Sequence, residues 1–351
     1  MTIGQYPAKS LSDAREEAAK SKTARDRGED PAQAKQEKKR ESKSAPTVKE
    51  FGEEYLERWA KPNKKSWKDD ERTLTKDVCP VIGKMKLASV KRRDIVRTID
   101  KIKDRGAEVQ ANRTLACIRR MFNFAVERGI IETTPASHIK GAREKARDRV
   151  MTRDEIKILL PAIHKTNLWL GTKVALELIL RTAQRPGEVR QMEKQEVNFK
   201  EKVWIIPAAK SKNGIAQTVP LTDKMIQLIQ DANDLSPSTW TIPSPFYEGQ
   251  PISEYGLAQG IRRIVNDIEM DRTTPHDLRR TAATIISELG FNRLIVDKLL
   301  NHKDLSMGGV YDRHSYDKEK RQALEAWERE LDVILSDKRE GKKVLTMKPN
   351  K

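Results

Sequence analysis

The 351 residues carry 69 Lys and Arg against 52 Asp and Glu, a formal net charge of +17, which points to a polyanionic partner, nucleic acid ahead of an acidic membrane surface. With 37% hydrophobic and 34% charged residues the chain can bury at least one good core under an extensive solvated surface, and its length allows for two or three domains. Two cysteines, Cys79 and Cys117, make neither a disulfide framework nor a zinc cluster, and no apolar run approaches membrane-spanning length, so a soluble, intracellular protein without a membrane partner or a metal is expected.

In residues 1–45, Ser10 or Ser12 is placed to cap a polar helix beginning near Asp13. That helix fades into the stretch "KQEKKRESKSAP", which has few apolar residues to bury and reads as a linker. Residues 47–140 read as a compact helical domain. In "TVKEFGEEYLERWAK", Phe51, Tyr55 and Trp59 recur every four residues and form one core-facing stripe. Helices follow over Val90 to Lys103 and Val109 to Arg128, the second with Leu115, Ile118, Met121, Phe122 and Ala125 as its apolar stripe and Gly129 as its C-cap. Cys117 falls in the same apolar pattern and reads as core. Arg113, Arg119 and Arg120 on the other faces of that helix are either ordinary solvated charges or contacts to a DNA backbone. Residues 141–150 form a basic linker without apolar periodicity, and a third region runs from 151 to the tail at 351.

The third region holds a series of short signals. In "ELILRTAQRPGEVRQM" an apolar helix ends near Arg181. Pro186 suits the first turn of the next helix, since it needs no amide donor there. Arg185 then lies in the intervening turn, with Glu188 placed to hold its guanidinium. Val203 to Ile206 and Gln217 to Val219 read as strands, and Lys212, Asn213 and Gly214 as the tip of their hairpin, because Asn-Gly is a strong turn pair. In "RTTPHDLRRTAATIISELGF", Thr274 caps a helix, Pro275 starts it and Asp277 reaches back to the cap. His276 and Arg279 share a face of its exposed first turn, a phosphate-site arrangement, while Ala283, Ile286 and Leu289 are expected to bury the opposite side. Asn292 caps a short helix ending at Leu300, with His302 just beyond and Tyr311 nine residues later, behind Gly308-Gly309. Finally, Leu324, Trp327, Leu331 and Ile334 follow helical spacing.

Arg185, Lys212, His276, Arg279, His302 and Tyr311, in this order and within "AQRPGEV", "SKNG", "TPHDLRRTAAT", "LLNH" and "VYDRH", resemble the tyrosine recombinase (phage integrase) family. The resemblance spans about Thr47 to Leu335 and is nearest to integrases of phages and genomic islands. It implies a mainly α fold with a small β-sheet: a helical, SAM-like core-binding domain followed by a mixed α+β catalytic domain. It also implies site-specific DNA recombination, the integration or excision of a mobile element, through a 3′-phosphotyrosyl intermediate, with no metal, ATP or other cofactor.

In that scheme Tyr311 is the nucleophile, Arg185 and Arg279 bind the phosphate, and His276 assists proton transfer. Lys212 protonates the departing 5′ oxygen, His302 donates a further hydrogen bond and Glu188 orients the site. The opening residues resemble the end of an arm-binding domain whose preceding strands the sequence lacks, a remnant of that module. Implied partners are double-stranded DNA attachment sites, a homotetramer on them, and accessory DNA-bending or excision factors, in a bacterial cytoplasm and associated with the nucleoid. The final helix either packs on its own domain or docks on a neighbouring protomer. Two rival readings stay open: a type IB topoisomerase, and a non-catalytic DNA-binding regulator with a recombinase fold. Tyr316 is the second candidate nucleophile.

Overall fold

The computed structural model describes residues 10–26, 45–144, 148–302 and 314–336. The chain divides into two compact units at residues 146/147. It is mostly helical, with a small antiparallel sheet, as the fold-class expectation had it.

In the first unit, α1 (Leu11–Asp26) is a largely exposed helix. Ser10 takes the cap, its Oγ accepting from the Asp13 amide at 3.2 Å, so the helix starts two residues earlier than expected. Further along come α2 (Val48–Tyr55), α3 (Trp67–Thr73), α4 (Arg92–Asp104) and α5 (Glu108–Glu127). A capping box starts α2: the Thr47 amide donates to Glu50 Oε2 at 2.7 Å, and the Glu50 amide donates to Thr47 Oγ1 at 3.2 Å. A π-helical turn over Leu56–Ala60 follows directly. Phe51 and Tyr55 are fully buried, and Trp59, half-buried, stacks on Tyr55 with ring centroids 5.5 Å apart and packs against the same core, as the stripe implies. The apolar stripe of α5 is buried as expected, and Gly129 ends it with φ +69°, a left-handed cap. Burial pushes the Cys117 thiol up to about 12.

The 141–150 stretch is less of a linker than its composition implies. Asn112 on α5 bonds the Ala142 amide at 2.8 Å, the Ala142 carbonyl at 2.8 Å and Glu144 at 2.7 Å, so 141–144 lie against the first unit. Arg149 pairs with Glu155 and therefore belongs to the second.

The second unit comprises α6 (Arg153–Lys165), α7 (Leu170–Thr182), α8 (Pro186–Arg190), β1 (Val197–Asn198), β2 (Val203–Ile206), β3 (Gln217–Pro220), α9 (Asp223–Asn233), α10 (Glu254–Asp267), α11 (Pro275–Glu288), α12 (Arg293–Leu299) and α13 (Asp317–Leu335). Helix α7 is its axis. It is apolar nearly all round, so it packs on α6, α9, α10, α11 and α13 together. The sheet has the order β1-β2-β3, with Trp204 opposite Val219 in register and both fully buried.

Helix α13 packs on its own unit. Leu324, Trp327, Leu331 and Ile334 are buried in the same core as α7, and Trp327 Nε1 donates to the Leu180 carbonyl at 2.9 Å. Arg181, itself buried, joins Glu177 on α7 to Glu328 on α13.

Candidate active site

Most of the candidate residues come together where four elements of the second unit meet. The apolar helix α7 stops because Ala183 turns left-handed at φ +55° and Pro186 forces a restart. Arg185 sits in that turn. Its Nη1 donates to Glu188 Oε1 at 2.8 Å, and its amide donates to Glu188 Oε2 at 3.2 Å. Glu188 is 4% exposed, so a buried carboxylate locks the guanidinium, as expected for that pair.

Helix α11 begins as its sequence dictates, the Thr274 amide donating to Asp277 Oδ2 at 2.9 Å. That start places His276 and Arg279 on one face. Here one expectation fails: Arg279 is buried, 7% exposed, rather than lying on an open first turn. Its Nη2 donates to the Leu300 carbonyl at 2.7 Å, whereas its Nη1 is buried and has no acceptor among the described residues. Burial and the nearby Arg185 guanidinium lower its pKa to about 10, which leaves it charged at neutral pH. The expected buried side holds for Ile286, which is fully buried, and for Leu289, which packs against the core, but not for Ala283. Ala283 lies on the His276 and Arg279 face, one turn beyond Arg279, where it lines a cavity with both; Leu278, Ala282, Ile285 and Ile286 form the buried side.

Lys212 reaches the site from the β2–β3 connection. The Asn-Gly pair does not make a two-residue hairpin: the connection runs from Pro207 to Ala216, and Ser211–Gly214 is a turn within it, the Gly214 amide donating to the Ser211 carbonyl at 3.2 Å. Lys212 is exposed, and no hydrogen bond or ion pair engages its ammonium among the described residues.

His302 follows α12, capped by Asn292, whose side chain accepts from the Ile295 amide at 3.0 Å. Its Nδ1 lies 2.9 Å from Asp297 Oδ1. A carboxylate only accepts, so Nδ1 carries the proton of this bond and Nε2 is left for a ligand. Arg185, Lys212, His276, Arg279 and His302 line one cleft of about 800 Å³, with Asn213, Arg293, Asp297 and Asn301. Protein packed around His276, and then Arg279, lower its pKa, although part of the ring is open to solvent; the neutral base is thus favoured near pH 7. Tyr311 lies outside the described residues. Tyr316 is half-buried at the start of α13, φ +52°, with Lys298 Nζ 5.2 Å from its ring centroid.

Several members of the site escaped the motif reading. The carbonyls that end α12 gather it: Leu299 accepts from Gln184 and Gln217, Leu300 from Arg279, and Asn301 from Arg185 and Asn213. Asn301 is 8% exposed and left-handed at φ +49°. Asparagine directly after a helix end favours that conformation, which was the available signal.

The three arginines of α5 differ from one another. Arg113 is exposed, Arg119 donates to the Ile139 carbonyl, and Arg120 pairs with Glu127 at 2.7 Å while lying 4.3 Å over Trp59. Two of the expected backbone contacts are thus engaged within the first unit. Among the described residues no group of three or more His, Cys, Asp or Glu side chains could hold a metal, and no helix is long and apolar enough to cross a membrane.

Residues 149–318 match the phage integrase family, 47–142 the phage integrase central domain, and 1–38 an arm DNA-binding domain. The chain belongs to the phage integrase family. The first of these matches contains every residue lining the cleft. Among its relatives, this family member is 27% identical to prophage integrase IntA of Escherichia coli (strain K12), over 93% of this chain and 80% of that protein. It is 24% identical to a tyrosine recombinase of Thermosipho africanus (strain TCF52B), over 77% and 94%. In fold it is similar to a lambda integrase tetramer bound to a Holliday junction, with TM-score 0.65, 18% identity and coverage of 85% of this chain and 89% of that one. A lambda integrase dimer bound to a COC′ core site gives 0.62 and 19%, over 78% of each.

Proposed function

We propose that this integrase cuts and rejoins DNA at specific sites through a covalent bond between Tyr311 and a 3′ phosphate. The observation that carries the reading is Arg279: a buried guanidinium that keeps its charge, is held by one nitrogen and offers the other, without an acceptor among the described residues, beside Arg185 in a basic cleft. A phosphodiester fits that requirement, because its non-bridging oxygens accept from planar guanidinium forks.

The step balances as follows. A tyrosine with its ordinary pKa of about 10 is almost wholly protonated at neutral pH, so its proton must leave as Oη attacks. His276 takes that proton, directly or through water, in keeping with its lowered pKa. The Oη–P bond forms and the P–O5′ bond breaks. Lys212 gives a proton to O5′, so a 5′ hydroxyl departs. Arg185 and Arg279 hold the charge that builds on the phosphoryl oxygens, the usual dominant contribution, and His302 joins them as an imidazolium, with Nδ1–H on Asp297 and Nε2–H on the phosphate. Glu188 and Asp297 act by positioning Arg185 and His302. The phosphotyrosyl bond conserves the phosphodiester's free energy. A 5′ hydroxyl from a partner strand can therefore reverse the step without ATP, and four protomers on two attachment sites would supply both partners.

The test is recombination of two DNAs carrying paired attachment sites, in chelator and without ATP. Joined heterologous products support the reading. Relaxation of site-free supercoils without joined products would instead indicate a topoisomerase, and salt-sensitive binding without cleavage a regulator.

A further inference from the structure

Asn301 occupies a place that its family assignment does not explain. Its backbone carbonyl accepts from Arg185 Nη2 at 3.2 Å and Asn213 Nδ2 at 2.7 Å. Its side chain turns the other way, onto the loop that carries Lys212. Nδ2 lies 3.1 Å from Ser211 Oγ, 3.1 Å from the Ile215 carbonyl and 3.4 Å from Asn213 Oδ1. Oδ1 lies 3.2 Å from Asn213 Nδ2. The Ile215 carbonyl can only accept, which fixes the amide's orientation with nitrogen toward the loop.

The contacts fall on both flanks and the centre of the turn around Lys212: Ser211 before it, Asn213 next to it, Ile215 beyond Gly214. Among the described residues, the side-chain hydrogen bonds that tie residues 211–215 to the rest of the unit run to Asn301, and the Ser211 amide adds a backbone bond to the Pro207 carbonyl at 3.2 Å. The loop has no ladder bonds of its own there, since β2 ends at Ile206 and β3 starts at Gln217. The Lys212 side chain is exposed, so its own packing does little to hold it.

We infer that Asn301 is a positioning residue for Lys212: its amide holds the β2–β3 turn against the end of α12, so that the Lys212 ammonium meets the departing 5′ oxygen while the same residue's carbonyl holds Arg185. The inference rests on the reading of Lys212 as the proton donor. It separates two functions of one residue. The side chain holds the turn through Ser211, Asn213 and Ile215, and the backbone carbonyl holds Arg185 together with one further bond from Asn213.

That separation gives a specific test. Asn301→Gly keeps the left-handed backbone, which glycine adopts freely, and hence the carbonyl to Arg185 and Asn213, but it removes the side-chain bonds to Ser211, Asn213 and Ile215 that hold the turn. Asn301→Asp is the isosteric companion: it sets an oxygen against the Ile215 carbonyl in place of Nδ2. Each variant, with Lys212→Ala as control, is assayed for covalent complex formation on an ordinary duplex and on one whose scissile 5′ oxygen is replaced by sulfur. A thiolate leaving group has a conjugate-acid pKa of about 8.5 and needs no general acid, unlike an alkoxide. General-acid assistance is worth about 10²–10⁴-fold. Displacing the lysine without deleting it should therefore slow Asn301→Gly and Asn301→Asp about 10–100-fold on the oxygen duplex, and Lys212→Ala more.

On the sulfur duplex all three should come within about threefold of the wild type, with DNA affinity and thermal midpoint unchanged on the scale of ordinary surface substitutions. Rescue of Lys212→Ala but not of the Asn301 variants would overturn the inference and leave the Lys212 role standing. Rescue of none would remove the Lys212 role, and the inference with it. Wild-type rates for both Asn301 variants on the oxygen duplex would also overturn the inference.

Discussion

Replacing Arg279 by Lys keeps the charge and removes the fork. In the wild type Nη2 is committed to the Leu300 carbonyl at 2.7 Å and Nη1 has no acceptor among the described residues. A lysine has one nitrogen at the end of a flexible stem. It can answer the carbonyl or the phosphate, but it cannot span both as a rigid planar group. Losing one preorganised donor to a developing oxyanion typically costs about 2.7–4 kcal/mol, or about 10²–10³-fold in rate. Ground-state DNA binding is spread over many phosphate contacts, each contributing about −0.9 to the slope of log K against log salt, so affinity should barely change. The assay is single-turnover formation of the covalent complex at saturating enzyme, paired with a salt titration of binding. A rate loss under about threefold would refute the reasoning that Nη1 serves the transition state. So would a loss of affinity as large as the loss of rate, since that would place the interaction equally in the ground state.

Other consequences can be checked on the free protein. The His276 imidazole, lowered from 6.5 by surrounding protein and then by Arg279, should titrate below 6.5 by NMR, and Arg279→Met should move its midpoint upward. The sign follows from the causes: both disfavour the imidazolium, so the neutral base persists into mildly acidic buffer, and a wild-type midpoint above 6.5 contradicts the account. Trp327→Ala should destabilise the second unit by about 3–5 kcal/mol in denaturant unfolding, because it opens a core cavity and leaves the Leu180 carbonyl without its donor. A loss under about 1 kcal/mol would mean α13 is not anchored in its own unit. Cys117, buried and with its thiol pushed up to about 12, should resist maleimide until the protein unfolds; labelling at native rates in the folded state would contradict its core position.

Much of the site was legible because its signals are local. The Thr274–Asp277 box, the Pro186 restart and the Asn292 cap each follow from residues within three or four positions, and they set His276, Arg185 and His302 in place. The apolar stripes of α5 and α13 were equally plain, since 3.6-residue periodicity reports a buried face directly. What escaped was long-range. Asn-Gly signalled a tight hairpin, but the turn serves a longer connection whose partner, Asn301, is 88 residues away from Asn213. The sequence puts Arg279 on an open first turn because helix position says which face a residue occupies, not what covers that face; here its Nη2 meets the Leu300 carbonyl.

The central claim is that Tyr311 attacks the phosphate. Its most direct test is covalent trapping on labelled, nicked attachment-site duplexes, in chelator and without ATP, read by denaturing electrophoresis. The account predicts a slow-migrating protein–DNA band for the wild type and for Tyr316→Phe, and none for Tyr311→Phe. A band that survives Tyr311→Phe and disappears with Tyr316→Phe would contradict it.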